Sequence, residues 1–160
     1  MNYTEIRSIL FTGKQNIPWR DVEVYLKRFV GMRFVNHEYG DEICINASFP
    51  DEFVHSQYTR RLKGGLAKTK ANLTQIIPEL IENATNRRWI ENKKDRHAKD
   101  AVGGWYRYDS YFSIPVKNPE TNKIMANHYS ATVLVRKNDT GMYLYDVIDI
   151  KKEASKPMDS

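Results

Sequence analysis

A chain of 160 residues, 41% hydrophobic and 12% aromatic, is long enough for one domain with a sizeable core, and this composition excludes a disordered segment. Its 25 Lys+Arg against 20 Asp+Glu leave a formal net charge of +5, which favours an anionic partner. No apolar stretch approaches the ~18 residues of a membrane-spanning helix, and the single Cys44 excludes an intramolecular disulfide or a Cys-based zinc cluster.

The predicted elements begin with helices. Ile6, Ile9 and Leu10 suggest a short amphipathic start. Pro18 suits the first turn of a helix, and Trp19, Val22, Leu26, Phe29 and Val30 then recur at helical spacing until Gly31. Met32 to Asn36 and Glu42 to Asn46 flank the turn signal Tyr39-Gly40-Asp41, which predicts a β-hairpin. Cys44, between Ile43 and Ile45, is read as buried and inert.

Pro50-Asp51-Glu52 starts a further helix, with acids placed to meet its dipole, and Gly64-Gly65 stops it. Leu66 begins another. Its apolar stripe of Leu73, Ile76, Ile77, Leu80, Ile81 and Ala84 is interrupted by Pro78. A mid-helix proline costs roughly 3 kcal/mol, so two short helices or a kink are expected rather than one rod.

After Gly104 the period changes to two. Trp105 to Val116, Ile124 to Lys137 and Met142 to Lys151 are dense in Tyr, Phe, Val, Ile and Thr and are separated by two polar turns. They predict an antiparallel meander, and Arg88 to Glu91 adds a strand. The expected fold class is α+β: N-terminal helices, with a small β-hairpin, packed on a C-terminal antiparallel sheet of about four strands. One domain spans 1–160, with a core over 4–151 and a frayed polar tail over 152–160. The first ten residues include Glu5 and Arg7, unlike a signal peptide, so a soluble, cytoplasmic setting with no membrane contact is expected.

The charge is regional. Between Arg60 and Lys99 there are 11 basic residues against Glu79, Glu82, Glu91 and Asp95. Arg60, Arg61, Lys68, Lys70, Arg87, Arg88, Lys93, Lys94, Arg96 and Lys99 are therefore the candidate contacts to RNA, or to DNA, and Trp105 is a candidate base stack. Lys68 and Lys70 extend the basic surface if they are not simply a solvated helix face. His97 lies among these cations and can move a proton near neutral pH, although an ordinary surface histidine gives the same pattern. Arg107 lies between Tyr106 and Tyr108, so alternation puts it on the face opposite both. There it is either a phosphate clamp or half of a structural ion pair. Ser130 offers a hydroxyl on the middle strand. His37 and His55 read as surface positions. No paired carboxylates and no HExxH spacing argue for a metal, and no cofactor is expected.

A longer motif string carries a resemblance. It comprises Lys70-Ala71-Asn72, Ile77-Pro78-Glu79-Leu80-Ile81, Asn92-Lys93-Lys94-Asp95-Arg96-His97, Gly104-Trp105-Tyr106-Arg107-Tyr108-Asp109 and the run from Tyr143 to Glu153. It resembles the large polyvalent protein-associated domains of bacterial phages and integrative elements, which are similar to the barnase/EndoU/colicin/RelE-like nuclease superfamily. The resemblance implies a fold of helices followed by an antiparallel sheet, and metal-free RNA cleavage of the toxin type. In such enzymes a general base frees the ribose 2′-hydroxyl to attack its own phosphate, an acid protonates the leaving oxygen, and Arg or Lys holds the developing charge. It also implies a histidine near the middle strand, where this chain has His128 and Ser130 around Tyr129. Either His128 holds that role or activity is lost. The catalytic candidates are thus His97, Arg107, His128 and Ser130. The alternative is a non-catalytic nucleic-acid- or protein-binding module of a phage or integrative-element protein, with a cognate protein partner or a place in a larger polyprotein.

Overall fold

Three long strands dominate because three long segments are rich in β-branched and aromatic residues at period two. In chain order the elements are β1 (Thr4–Glu5), α1 (Trp19–Leu26), a 3-10 turn (Lys27–Phe29), β2 (Arg33–Val35), β3 (Glu42–Cys44), α2 (Phe49–His55) and α3 (Gln57–Arg61). Next come α4 (Gly65–Leu73), a second 3-10 turn (Thr74–Ile76), α5 (Ile77–Asn83), β4 (Thr85–Ile90), β5 (Gly104–Lys117), β6 (Ile124–Asn138) and β7 (Gly141–Pro157). The computed structural model describes residues 3–13, 15–91 and 104–158.

The architecture is α+β with every described helix ahead of β4. The sheet is larger than the expected four strands: seven strands run in the order β1-β5-β6-β7-β3-β2, with β4 also paired to β5. It is mixed, not purely antiparallel, because β1 joins β5 and β3 joins β7 in parallel. The predicted hairpin forms as β2–β3, with Phe34 opposite Ile43, and docks on the free edge of β7. β5 thus carries two neighbours on one edge. β4 lies along its first half, and β1 pairs at Phe112 and Ser113.

Alternation along β5 buries Tyr108, Phe112 and Ile114 on the helix-facing side, and β6 adds Tyr129, Ala131, Val133 and Val135. Phe112 lies opposite Tyr129, and their rings stack at 5.2 Å. Val22, Leu26, Phe29, Phe49, Phe53, Leu73, Ile77 and Leu80 close the core from the helices. No helix among the described residues is long and apolar enough to cross a membrane.

Several expectations are corrected. The N-terminal segment is not helical: Ile6 donates its N–H to Ser113 O, and the buried Asn72 side chain accepts the N–H groups of Leu10 and Phe11. Three apolar residues cannot fix a helix against such partners. The helix from Pro50 breaks at Ser56, whose hydroxyl caps α3 by accepting Thr59 N–H. The break expected at Pro78 is present: α4 and a 3-10 turn precede α5, and Pro78 falls in the first turn of α5, where it removes no helical hydrogen bond. Cys44 is only half-buried, while its neighbours Ile43 and Ile45 point into the core. The tail is not frayed from residue 152, because β7 stays paired with β6 as far as Pro157 opposite Met125.

Candidate nucleic-acid interface

The densest meeting of cations and aromatics is the β4–β5 ladder. Arg88 lies opposite Arg107, Trp89 opposite Tyr106, and Ile90 opposite Trp105. Opposed residues share a face. Trp89 and Tyr106 therefore lie on the side that also carries the buried Tyr108, and Arg88, Arg107, Ile90 and Trp105 lie on the other. Arg107 is opposite in facing to both neighbouring tyrosines, as alternation requires.

On the first side, the Trp89 and Tyr106 rings meet at 4.7 Å. The Arg87 guanidinium lies 4.4 Å from the centre of the Tyr39 ring and 4.9 Å from that of Tyr106. It also reaches both carboxylate oxygens of Asp41 at 2.8 Å. The backbone N–H of Arg87 donates to the Tyr39 hydroxyl. The turn of the β2–β3 hairpin thus clamps β4.

Asp41 also accepts the Tyr108 hydroxyl at 2.6 Å. Burial, then that hydrogen bond and the charge of Asp41, raise the Tyr108 phenol above its ordinary 10.0. A raised folded-state pKa gives stability that is present below the unfolded value and lost as pH climbs above it. Unfolding free energy is therefore expected to fall with pH above 10.0, with a shallower slope in Tyr108→Phe. Urea titrations at pH 9 to 11 measure this. Equal slopes would mean that Tyr108 does not carry the effect.

On the second side, two guanidiniums sit directly across the ladder. Arg88 pairs with Asp109 at 3.0 Å and donates to Asn86 O, and the Asn86 amide also donates to Asp109. Arg107 has a looser partner, Asp149 at 3.9 Å, and its buried Nε has no hydrogen-bond partner among the described residues.

The described catalytic candidates do not converge. Arg107 lies opposite Leu134, six residues along β6 from His128 and four from Ser130. At ~3.3 Å per residue, His128 is ~20 Å from Arg107 along the strand, beyond the reach of one phosphate. The His128 ring stacks on Tyr3 at 4.2 Å, and its buried Nδ1 has no hydrogen-bond partner among the described residues. Ser130 Oγ donates to Glu153 at 2.5 Å.

The basic run is divided. Lys70 is removed from any basic surface: it is 0% exposed and lies 2.7 Å from the equally buried Asp146. Arg60 and Arg61 end α3, and Lys68 lies on α4, which packs on β7. β4 is three strand positions from β7, ~14 Å at ~4.8 Å per strand. Trp105 is half-buried with its ring edge-on to Tyr145 at 5.1 Å. Lys93, Lys94, Arg96, His97 and Lys99 lie outside the described residues. They belong to the connection between Glu91 and Gly104, whose strands pair at Ile90 and Trp105. His37 and His55 are surface residues.

Trp89, Tyr39 and Asp41 escape a reading based on charge and on strand openings. The string Arg87-Arg88-Trp89 held the signal, an aromatic directly behind two cations. Among the described residues, Glu23, Asp51 and His55 bring possible metal-ligand atoms within 4.8 Å of one another, on the exposed faces of α1 and α2 and apart from this ladder. Comparison with protein-family models, with curated proteins and with solved structures finds no match.

Proposed function

We propose that this domain binds RNA, or DNA, through β4 and the adjoining end of β5, as a non-catalytic module. One observation carries the reading: at one end of a single strand pair, Arg87, Trp89 and Tyr106 lie on one face and Arg88 and Arg107 on the other. The connection between those strands adds Lys93, Lys94, Arg96 and Lys99 against Asp95 and Asp100. Cations supply counterion release and aromatics supply base stacking, and a chain crossing the edge formed by β4 meets the aromatics on one face and the cations on the other. The ~20 Å along the strand between Arg107 and His128 favours binding over cleavage.

Affinity for a labelled oligonucleotide is expected to fall steeply with salt. Arg88→Gln should lower the slope of log K against log salt by about one, the loss of one phosphate contact. Arg60→Gln, on α3, should leave it unchanged. A flat salt titration, or no binding at low salt, rejects the reading.

A second reading, a metal-free ribonuclease of a mobile genetic element, is favoured by Arg107, whose Nε has no partner among the described residues, on the strand that follows the His97-bearing connection. Its signature is RNA cleavage that survives chelator, leaves a 2′,3′-cyclic phosphate and falls ~10²–10⁴-fold in His97→Ala.

A further inference from the structure

The sheet end that carries Arg87 and Arg88 also holds an indole that the core does not need. Trp89 is 46% exposed. An exposed aromatic on an edge strand is ordinarily free to move, but this one is held on two sides. Tyr106 packs against it at 4.7 Å, with the rings tilted by 59°. Gly104 lies beneath it so closely that a Cβ there would stand 2.6 Å from the indole Cζ2. The row continues inward: the Arg87 guanidinium lies over Tyr106 and over Tyr39. Asp41 takes Arg87 in a bidentate pair, so Arg87 stiffens the row and is not spare charge for a ligand.

We infer that Trp89 is a stacking platform for an unpaired base, and that the ligand of this domain is a single-stranded nucleic acid. The inference rests on the nucleic-acid reading above and narrows it. In a duplex the base faces are covered by their own neighbours, and a side chain meets edges and phosphates. In a single strand the faces are open and stack on aromatic side chains with little regard to sequence. A rigid, half-exposed indole suits the second case, since little conformational freedom is lost on binding. The other exposed apolar residue on this strand, Ile90, faces the opposite side of the ladder and does not enlarge the patch around Trp89. An apolar protein partner would need such a patch.

The test compares a fluorescein-labelled 12-nucleotide single-stranded RNA with a duplex of the same sequence, by anisotropy at low salt. The intact protein is expected to bind the single strand at least tenfold more tightly. Trp89→Ala should weaken single-strand binding by about 5- to 150-fold, the worth of one base stack, and leave duplex affinity unchanged. The salt slope should also be unchanged, because a stack neutralises no phosphate. Trp89→Phe should keep most of the affinity. Trp89→Leu retains apolar packing over Gly104 without an aromatic face and should lose as much as alanine. It keeps the test decisive if the alanine variant fails to fold. Equal affinity for single strand and duplex, or single-strand affinity untouched in Trp89→Leu, overturns the platform and leaves nucleic-acid binding standing. No binding of either RNA overturns both. Binding of a protein ligand that Trp89→Leu abolishes, with no RNA binding, assigns the patch to protein contact instead.

Discussion

Lys70→Met is expected to destabilise the domain by ~3–5 kcal/mol, a large share of the ~5–15 kcal/mol that holds a typical domain folded. Lys70 and Asp146 are both fully buried, with Nζ 2.7 Å from Oδ1. Burial pushes the Lys70 amine down and the Asp146 carboxyl up, and each partner's charge opposes that shift in the other. Asp146 is further held by the Ser56 hydroxyl at 2.6 Å and by the backbone N–H of Val147. Lys70 lies over the Phe53 ring at 4.8 Å. Removing the ammonium leaves a carboxylate in the core with only these two donors. The double variant Lys70→Met/Asp146→Asn tests the cause, since asparagine is neutral: its Oδ1 can still accept the Val147 N–H, while its Nδ2 donates to the Ser56 hydroxyl, which keeps Thr59 Oγ1 as its own acceptor. It should recover to within ~1 kcal/mol of the parent, because a buried ion pair contributes little over a neutral replacement. Urea unfolding with an unchanged m-value measures both. A single variant as stable as the parent would mean that the pair is not charged in the fold.

The fold was legible in the sequence where elements are long. β5, β6 and β7 hold 14, 15 and 17 residues, enough for period-two patterning and turn signals to stand out. Gly31 and Pro78 likewise marked helix boundaries near their true places. β1, with two residues, was not legible, and although the β2–β3 hairpin was legible from its turn signal, its docking on β7 was not. Their place in the sheet is fixed by partners distant in sequence, such as Thr4 opposite Phe112 and Ile43 opposite Met142. That is why a sheet of about four strands was expected and seven are present.

The site was legible as a neighbourhood but not as a geometry. The concentration of Arg87, Arg88, Tyr106 and Arg107 could be read from composition alone. The side of Arg107 followed from alternation, but the sides of Arg87 and Arg88 could not be read. A register shift between Thr85 and Arg88 accompanies a left-handed backbone at Asn86, φ 52°, and Arg87 turns its guanidinium to Asp41 of the hairpin. Lys70 looked like a second Lys on a solvated helix face beside Lys68, because its counter-charge, Asp146, lies on the last strand. Charge pattern along a chain predicts exposure only where no distant partner satisfies the charge. The same limit applies to His128 and Arg107, which share a face of β5–β6 without sharing a site.

Gly104→Ala is expected to cost ~2–6 kcal/mol and to remove single-strand binding even where the domain still folds, from two separable causes. Gly104 has φ +105°, a region that L side chains rarely adopt, for ~1–3 kcal/mol. A Cβ would also stand 2.6 Å from Trp89 Cζ2 and 2.7 Å from Ile90 O, for a further ~1–3 kcal/mol. The indole can swing outward. The Ile90 carbonyl cannot, because it belongs to the ladder that pairs Ile90 with Trp105. Relief must therefore come by moving Trp89 off its support and by loosening the end of β4. Gly141→Ala is the control, since Gly141 has φ +147° and its nearest non-neighbour atom, in Tyr143, would be at an ordinary 3.9 Å. It carries the backbone cost without the collision and lies at the β6–β7 turn, two strands across from Gly104. Urea unfolding of the two variants should show Gly104→Ala the less stable by at least ~1 kcal/mol. Oligonucleotide affinity should fall in Gly104→Ala alone. Equal destabilisation with affinity intact would mean that Trp89 yields freely, and a freely yielding indole is not a platform.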